Sequence, residues 1–201
     1  VTFNISGLVD ITGNNSSSVT STTDSSFVLF ENYEAEWSGR KTINIAGNTI
    51  GLGGNVNNYP MLIRLSAANF PEISGSTQQG GADIRFAKTD GTALFYEIDD
   101  WANNSNGRVW VLIHSVSRSA PTQIWMYYDN PGVLANMSKS EYVFNTSNGF
   151  QGVWHLNETV TDEQTSGTHF DATSNANDGR QHNNSSTAGI ISRSQNFDGN
   201  D

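Results

Sequence analysis

The sequence predicts an all-β protein: an antiparallel β-sandwich of jelly-roll or concanavalin-like flavour, with an amino-terminal strand-bearing leader and a partial second β unit. Three observations predict it. Apolar residues alternate with period two in run after run. No stretch of a dozen residues keeps the i, i+3, i+4, i+7 stripe of an amphipathic helix. The runs are short, evenly spaced and divided by Gly, Asn, Asp and Pro, as in a sandwich.

Residues 1–36 form the leader. Val1, Phe3 and Ile5 alternate within Val1 to Ile11, a polar Ser/Thr tract follows from Asn14 to Ser26, and Phe27 to Phe30 reads as a second short strand. From Trp37 the texture changes, and 37–140 reads as the sandwich domain. Its strand-like runs are Lys41 to Ile45, Met61 to Leu65, Ile84 to Phe86, Ala93 to Ile98, Val109 to Val116 and Thr122 to Tyr128. Asp90-Gly91 suits the positive φ of a tight hairpin, so Ile84 to Ala87 is expected to pair with Ala93 to Ile98. Met61, Ile63, Leu65, Val109, Val111, Ile113, Ile124, Met126 and Tyr128 face the core by alternation, which puts Trp110 and Trp125 on opposite faces of their strands. Large apolar groups on both faces imply that the second face is covered too. Residues 141–201 read as the opening part of another unit: Phe150, Gly152, Trp154 and Leu156 alternate, a polar stretch follows, and Ile190, Ile191 and Phe197 close it.

Composition narrows the function. Ten Lys and Arg against twenty Asp and Glu give a formal charge of −10, which excludes nucleic acid as a natural partner and leaves cations such as Ca²⁺ open. No run of about eighteen apolar residues exists, so membrane insertion is not expected. The 201 residues hold no cysteine, which removes disulfides, thiolate metal sites and a Cys nucleophile. Abundant Ser, Thr, Asn and Gly with few charges is the surface chemistry of exported β proteins, and the start at Val1 reads as a mature segment whose signal peptide is gone. An extracellular or cell-surface location is therefore expected. Asn-X-Ser/Thr acceptors occur at Asn4, Asn14, Asn15, Asn103, Asn136, Asn145, Asn157, Asn183 and Asn184, a pattern that an Asn- and Ser-rich chain also produces by chance.

Particular blocks carry a resemblance. Trp37, Arg40-Lys41, Tyr59-Pro60-Met61-Leu62-Ile63, Gly81-Ala82-Asp83-Ile84-Arg85-Phe86, Asp90-Gly91-Thr92, Tyr96-Glu97-Ile98, Val109-Trp110-Val111 and Ile124 to Pro131 together resemble a family of exported prokaryotic β domains of unknown function. Gly152 to Glu158, Asp171 to Gly179 and Ser194 to Gly199 resemble the opening strands and turn of a laminin-G-like (concanavalin-like) sandwich. That second resemblance implies glycan or protein binding, often with calcium, and further strands beyond Asp201.

The candidate chemistry is of three kinds. Glu97-Ile98-Asp99-Asp100-Trp101 is similar to the carboxylate strand of concanavalin-like glycosidases, but Trp101 stands where a third carboxylate belongs, so the pair reads as a solvated strand end and catalysis is not expected. Asp171, Thr173, Asn175, Asn177 and Asp178 offer oxygens at alternating positions to Ca²⁺, without the central Gly and distal Glu of an EF-hand; the same pattern marks a plain Asx turn. Trp101, Trp110, Trp125 and Tyr127, with Trp154, are candidates for stacking on sugar rings, against the alternative of buried packing. The four histidines, His114, His155, His169 and His182, lack ligand spacing and read as ordinary polar or loop residues. The reading is a non-catalytic surface module for adhesion or scaffolding that binds glycan or protein. One alternative is a filament or lattice subunit joined to copies of itself by strand donation. The other is a glycan-active enzyme.

Overall fold

The computed structural model describes residues 33–47, 52–102, 105–161, 166–197 and 199, with the side chain of Glu34 left out. The leader strands Val1 to Ile11 and Phe27 to Phe30 and the acceptors Asn4, Asn14, Asn15 and Asn103 lie outside the described residues. One compact unit spans Asn32–Asp201. The fold is an all-β sandwich. A four-residue helix, α1 (Tyr33–Glu36), precedes β1 (Gly39–Ile45), β2 (Val56–Ser66), β3 (Arg85–Lys88), β4 (Tyr96–Ala102), β5 (Asn106–Val116) and β6 (Thr122–Tyr128). A second short helix, α2 (Ser140–Val143), leads to β7 (Thr168–His169), β8 (Gly179–Arg180), β9 (Ser185–Ala188) and β10 (Arg193–Asn196).

Two three-stranded antiparallel sheets, ordered β1-β6-β3 and β2-β5-β4, share one core. Strand alternation decides what enters it. Ile45, Phe86, Ile124 and Met126 from the first sheet meet Ile63, Leu65, Tyr96, Val109, Val111 and Ile113 from the second, with Phe70 and Ile73 filling the end. Met61 and Tyr128 pack on the rim of this cluster, so all nine residues expected to face inward do so.

The hairpin at Asp90-Gly91 differs from its expectation in extent. Gly91 has φ +86° and the Asp90 carboxylate accepts the Thr92 N–H at 2.9 Å, so the tight turn forms. Pairing with β3 then lasts only from Thr92 to Leu94, whose N–H reaches the Phe86 carbonyl. From Tyr96 onward the strand belongs to the other sheet, beside β5. The physical reason is competition for the edge: β3 is four residues long and its remaining hydrogen bonds go to β6, whereas β5 offers eleven residues to β4.

Between Ile98 and Asp100 the β4 register slips, leaving Asp99 as an extra residue opposite β5. A bulge of this kind re-aims side chains, and here it places Glu97 across from Trp110 and Asp100 across from Arg108, with which it forms an ion pair. Trp101 follows, turned inward over two glycines. A methyl group on Gly107 would stand 2.6 Å from the indole, and one on Gly81, whose φ is +67°, would stand 2.9 Å away. Gly107→Val is therefore expected to displace Trp101 and to cost about 1–3 kcal/mol, measured as a lower denaturant midpoint with a red-shifted tryptophan emission.

Both outer sheet faces are covered. Trp110 lies under Phe144, Phe150 and Val153, which follow α2, while Tyr127 and Ala87 lie under Tyr33 and Trp37. Buried Asp83 closes the far end of the first sheet: its carboxylate accepts N–H groups of Gln78, Asp129 and Asn130, and its carbonyl accepts the Trp37 indole N–H. Among the described residues, no helix is long and apolar enough to cross a membrane.

Candidate functional site

The polar residues after Trp154 return to β4 and join it. His155 Nε2 lies 3.0 Å from Glu97 Oε2, and the Asn157 side-chain amide donates to the Asp99 carboxylate at 2.6 Å and to its backbone carbonyl at 3.0 Å. The Glu97 and His155 side chains are 12% and 15% exposed, so this strand end is an internal joint and not the solvated face expected from sequence. The His155 ring lies nearly parallel to Trp110 and edge-on to Phe144. Burial alone would lower the imidazole pKa. The Glu97 hydrogen bond and the charges of Glu97, Asp99 and Glu158 outweigh it and hold the pKa above its ordinary value. Asp99 is pushed up, chiefly by burial, which the nearby His155 and the Asn157 amide offset only in part.

A second imidazole–carboxylate pair follows immediately. His169 Nδ1 is 2.7 Å from Glu158 Oε2, and its Nε2 is 3.1 Å from the Asn184 amide nitrogen. An amide nitrogen only donates, so Nε2 is the acceptor and the ring proton sits on Nδ1, facing Glu158. Asn184, 2% exposed, also donates to Gln195, and Gln195 in turn donates to the Leu156 and Glu158 carbonyls. Burial would raise the Glu158 pKa, but the bonds from His169 and the Phe170 N–H hold it below the usual range. A cleft of about 280 Å³ opens beside this network, lined by His169, Arg180, His182, Asn184 and Phe197. The His169 and Asn184 polar atoms at its wall are already engaged in the network.

The loop expected to offer oxygens to Ca²⁺ closes on itself. Asp171 Oδ1 accepts the N–H groups of Val153 and Thr173, and Oδ2 accepts the Asn177 N–H and the Thr173 hydroxyl, all four at 2.9–3.0 Å. Asp178 accepts the Asp171 N–H, the Thr173 hydroxyl accepts the Asn175 N–H, and the Asn175 amide donates to the Gln151 carbonyl. These oxygens face donors, where a cation would need lone pairs. Burial would raise the Asp171 pKa, and the three backbone donors with the Thr173 hydroxyl outweigh it and hold the group low. No group of three or more His, Asp or Glu side chains among the described residues is placed to hold a metal.

The aromatic candidates part company. Trp101 packs on the main core, Trp110 lies in the cluster under Phe144, and Trp125 and Tyr127 belong to the cluster under α1. Tyr127 is 2% exposed, and the Arg40 guanidinium lies 4.3 Å over the Trp125 ring, so neither offers a free face. Packing between layers takes these rings because strand alternation points each toward a covered face. Trp154 alone of the five tryptophans is exposed, at 43%.

This segment, from the turn before β3 to β8, is also where kinship is found. The family described as Domain of unknown function (DUF2341) matches residues 80–180, half of the 201 residues. The chain belongs to that family. The family segment contains β3 to β8, both imidazole–carboxylate pairs and the Asp171 loop. No curated protein and no solved structure matches the chain.

Sequence reading missed His155, Asn157, Glu158, His169, Asn184 and Gln195 as a network. One signal was present: His155-x-Asn157 repeats the alternate spacing of Glu97-x-Asp99, with donors in place of acceptors. Of the Asn-X-Ser/Thr acceptors, Asn157 and Asn184 have their amides bound inside this network, while Asn136 is exposed.

Proposed function

We propose that the chain is a non-catalytic extracellular surface module for adhesion or scaffolding, binding glycan or protein. One observation carries the reading. The carboxylates best suited by sequence to acid–base or metal chemistry are bonded to neighbours within the fold: Glu97 to His155, Asp99 to Asn157, Glu158 to His169 and Asp171 to four donors. Groups fixed this way hold strands together, and a general acid or base needs a face open to a substrate. Large aromatics, by contrast, stand outside: Phe95 and Tyr142 stack at 4.6 Å and both are exposed, as are Trp154 and Phe170. A low-charge, Cys-free surface rich in Ser, Thr and Asn supports the extracellular setting.

The test is a screen of the purified chain against arrayed glycans and surface proteins, with turnover of the same glycans followed in parallel. Saturable binding without product formation is the expected result. Turnover that disappears in Glu97→Gln would establish a hydrolase instead.

A second reading is favoured by the sheet order β1-β6-β3, which among the described residues places β1 at an edge of its sheet. Such an edge accepts a donated strand through main-chain hydrogen bonds, which is the assembly expected of a filament or lattice subunit. Light scattering on the chain and on a variant lacking residues 1–26 tests it. Ordered oligomers that vanish on deletion support strand donation, and a folded monomer in both cases dismisses it.

A further inference from the structure

The geometry points to Trp154 as a preorganised stacking platform for a neutral, hydroxyl-rich glycan, an inference that rests on the binding-module reading and locates its site. A tryptophan serves as a platform when one face is backed, its N–H is satisfied and the other face is open, because little freedom is then lost on binding. Trp154 has a close neighbour, a satisfied N–H and an accessible ring. Gly152 lies against the ring so closely that any side chain at 152 would run into it. The indole N–H donates to the Asn177 carbonyl at 2.9 Å. The residue nevertheless remains 43% exposed, whereas Trp37 is buried and Trp101, Trp110 and Trp125 are half-buried.

The loop knotted on Asp171 thereby acquires a purpose beyond its own stability. Asp171 pairs with Trp154 across a β-bridge and fixes the Asn177 backbone, so the carboxylate that grips the loop also sets the position of the carbonyl that holds the indole. The same loop and the residue before Gly152 carry exposed Gln151, Asn175, Asn177 and Asp178, side chains of the type that bonds sugar hydroxyls. Asp171 to Gly179 contains no Lys or Arg, and the chain carries a formal charge of −10, so a polyanion would be repelled. The chemistry selects a neutral sugar.

Native affinity electrophoresis of the full chain through gels holding a β-glucan, a mannan, a galactan or a polyuronate tests this, with tryptophan fluorescence and thermal melting on the same samples. Retention by at least one neutral polysaccharide and not by the polyuronate is expected. Trp154→Ala is expected to weaken it about tenfold and Trp154→Phe, which keeps a ring, by about threefold. Should Trp154→Ala fail to fold, the folded Phe variant and the fluorescence change of the native chain decide. Undiminished retention in the variants overturns the site and leaves the module reading intact, and retention by the polyuronate alone overturns the sugar class. If no polysaccharide retains the chain, the glycan proposal falls. The module reading then falls with it only if the protein screen is also empty.

Discussion

Asp171→Ala is expected to lower the melting temperature by about 6–12 °C, corresponding to about 3 kcal/mol for a chain of this length. Asp171 is 9% exposed and its carboxylate accepts four donors; its loss leaves the Val153, Thr173 and Asn177 N–H groups without their partner in a crowded turn. Asp171→Asn is expected to recover less than half of the loss. One of its terminal atoms becomes a donor facing the Asn177 N–H or the Val153 and Thr173 N–H groups, whichever way the amide is turned. The pH dependence has a definite sign. A carboxyl held below its ordinary pKa by the fold adds stability above that ordinary value, and the contribution disappears as pH falls through the folded-state value. Acid unfolding monitored by circular dichroism is therefore expected to be flatter in Asp171→Ala than in the native chain. A midpoint unchanged by the substitution would mean that the turn holds without its carboxylate.

His155→Ala is expected to cost about 2–3 kcal/mol, because it strips the partner from a Glu97 carboxylate that is largely removed from water. His155→Gln, able to donate from the same region of space, is expected to be milder. Here the pH sign is opposite to that of Asp171. An imidazole held above its ordinary pKa stabilises the fold below that value, and the contribution is lost as pH rises through the folded-state pKa. Asp99, raised by burial, acts in the same direction. Denaturant midpoints are expected to fall from mildly acidic to alkaline pH in the native chain and to stay flatter in His155→Gln. Parallel pH profiles for the two would remove His155 as the titrating group.

The sandwich was legible because local chemistry and tertiary placement agree along it. Thr122–Tyr128 alternates Ile124, Met126 and Tyr128 inward, and those are its core contacts. The coverage of Trp110 and Trp125 was legible for the same reason: a large indole on an outer face demands a cover, and residues after α2 and the α1 region supply one each. What strand periodicity could not reveal was the crossing of β4 between sheets, since alternation records which face is apolar and not which neighbour a strand takes. The joint was hidden for a related reason. Glu97 and His155, or Asp99 and Asn157, stand 58 positions apart, and the matching alternate spacing of the two segments does not by itself say that they pair. The Asp171 loop illustrates a degeneracy: oxygens at alternating positions serve backbone donors as readily as a cation, and only the direction of the N–H groups separates the two.

The pairing of β1 with β6 sets the order in which the chain can mature. Gly39 meets Tyr128, so the earliest described strand waits for the sixth to arrive, while β2 waits for β5. Long-range antiparallel closure of this kind folds slowly, because the loop entropy must be overcome before any contact rewards it. During synthesis from the amino end, Ile43 and Ile45 wait for β6 to emerge. Lys41 and Thr42 before Ile43, and Asn44 between the two isoleucines, then act as gatekeepers, polar interruptions that keep a waiting strand from joining its neighbours on other copies of the chain.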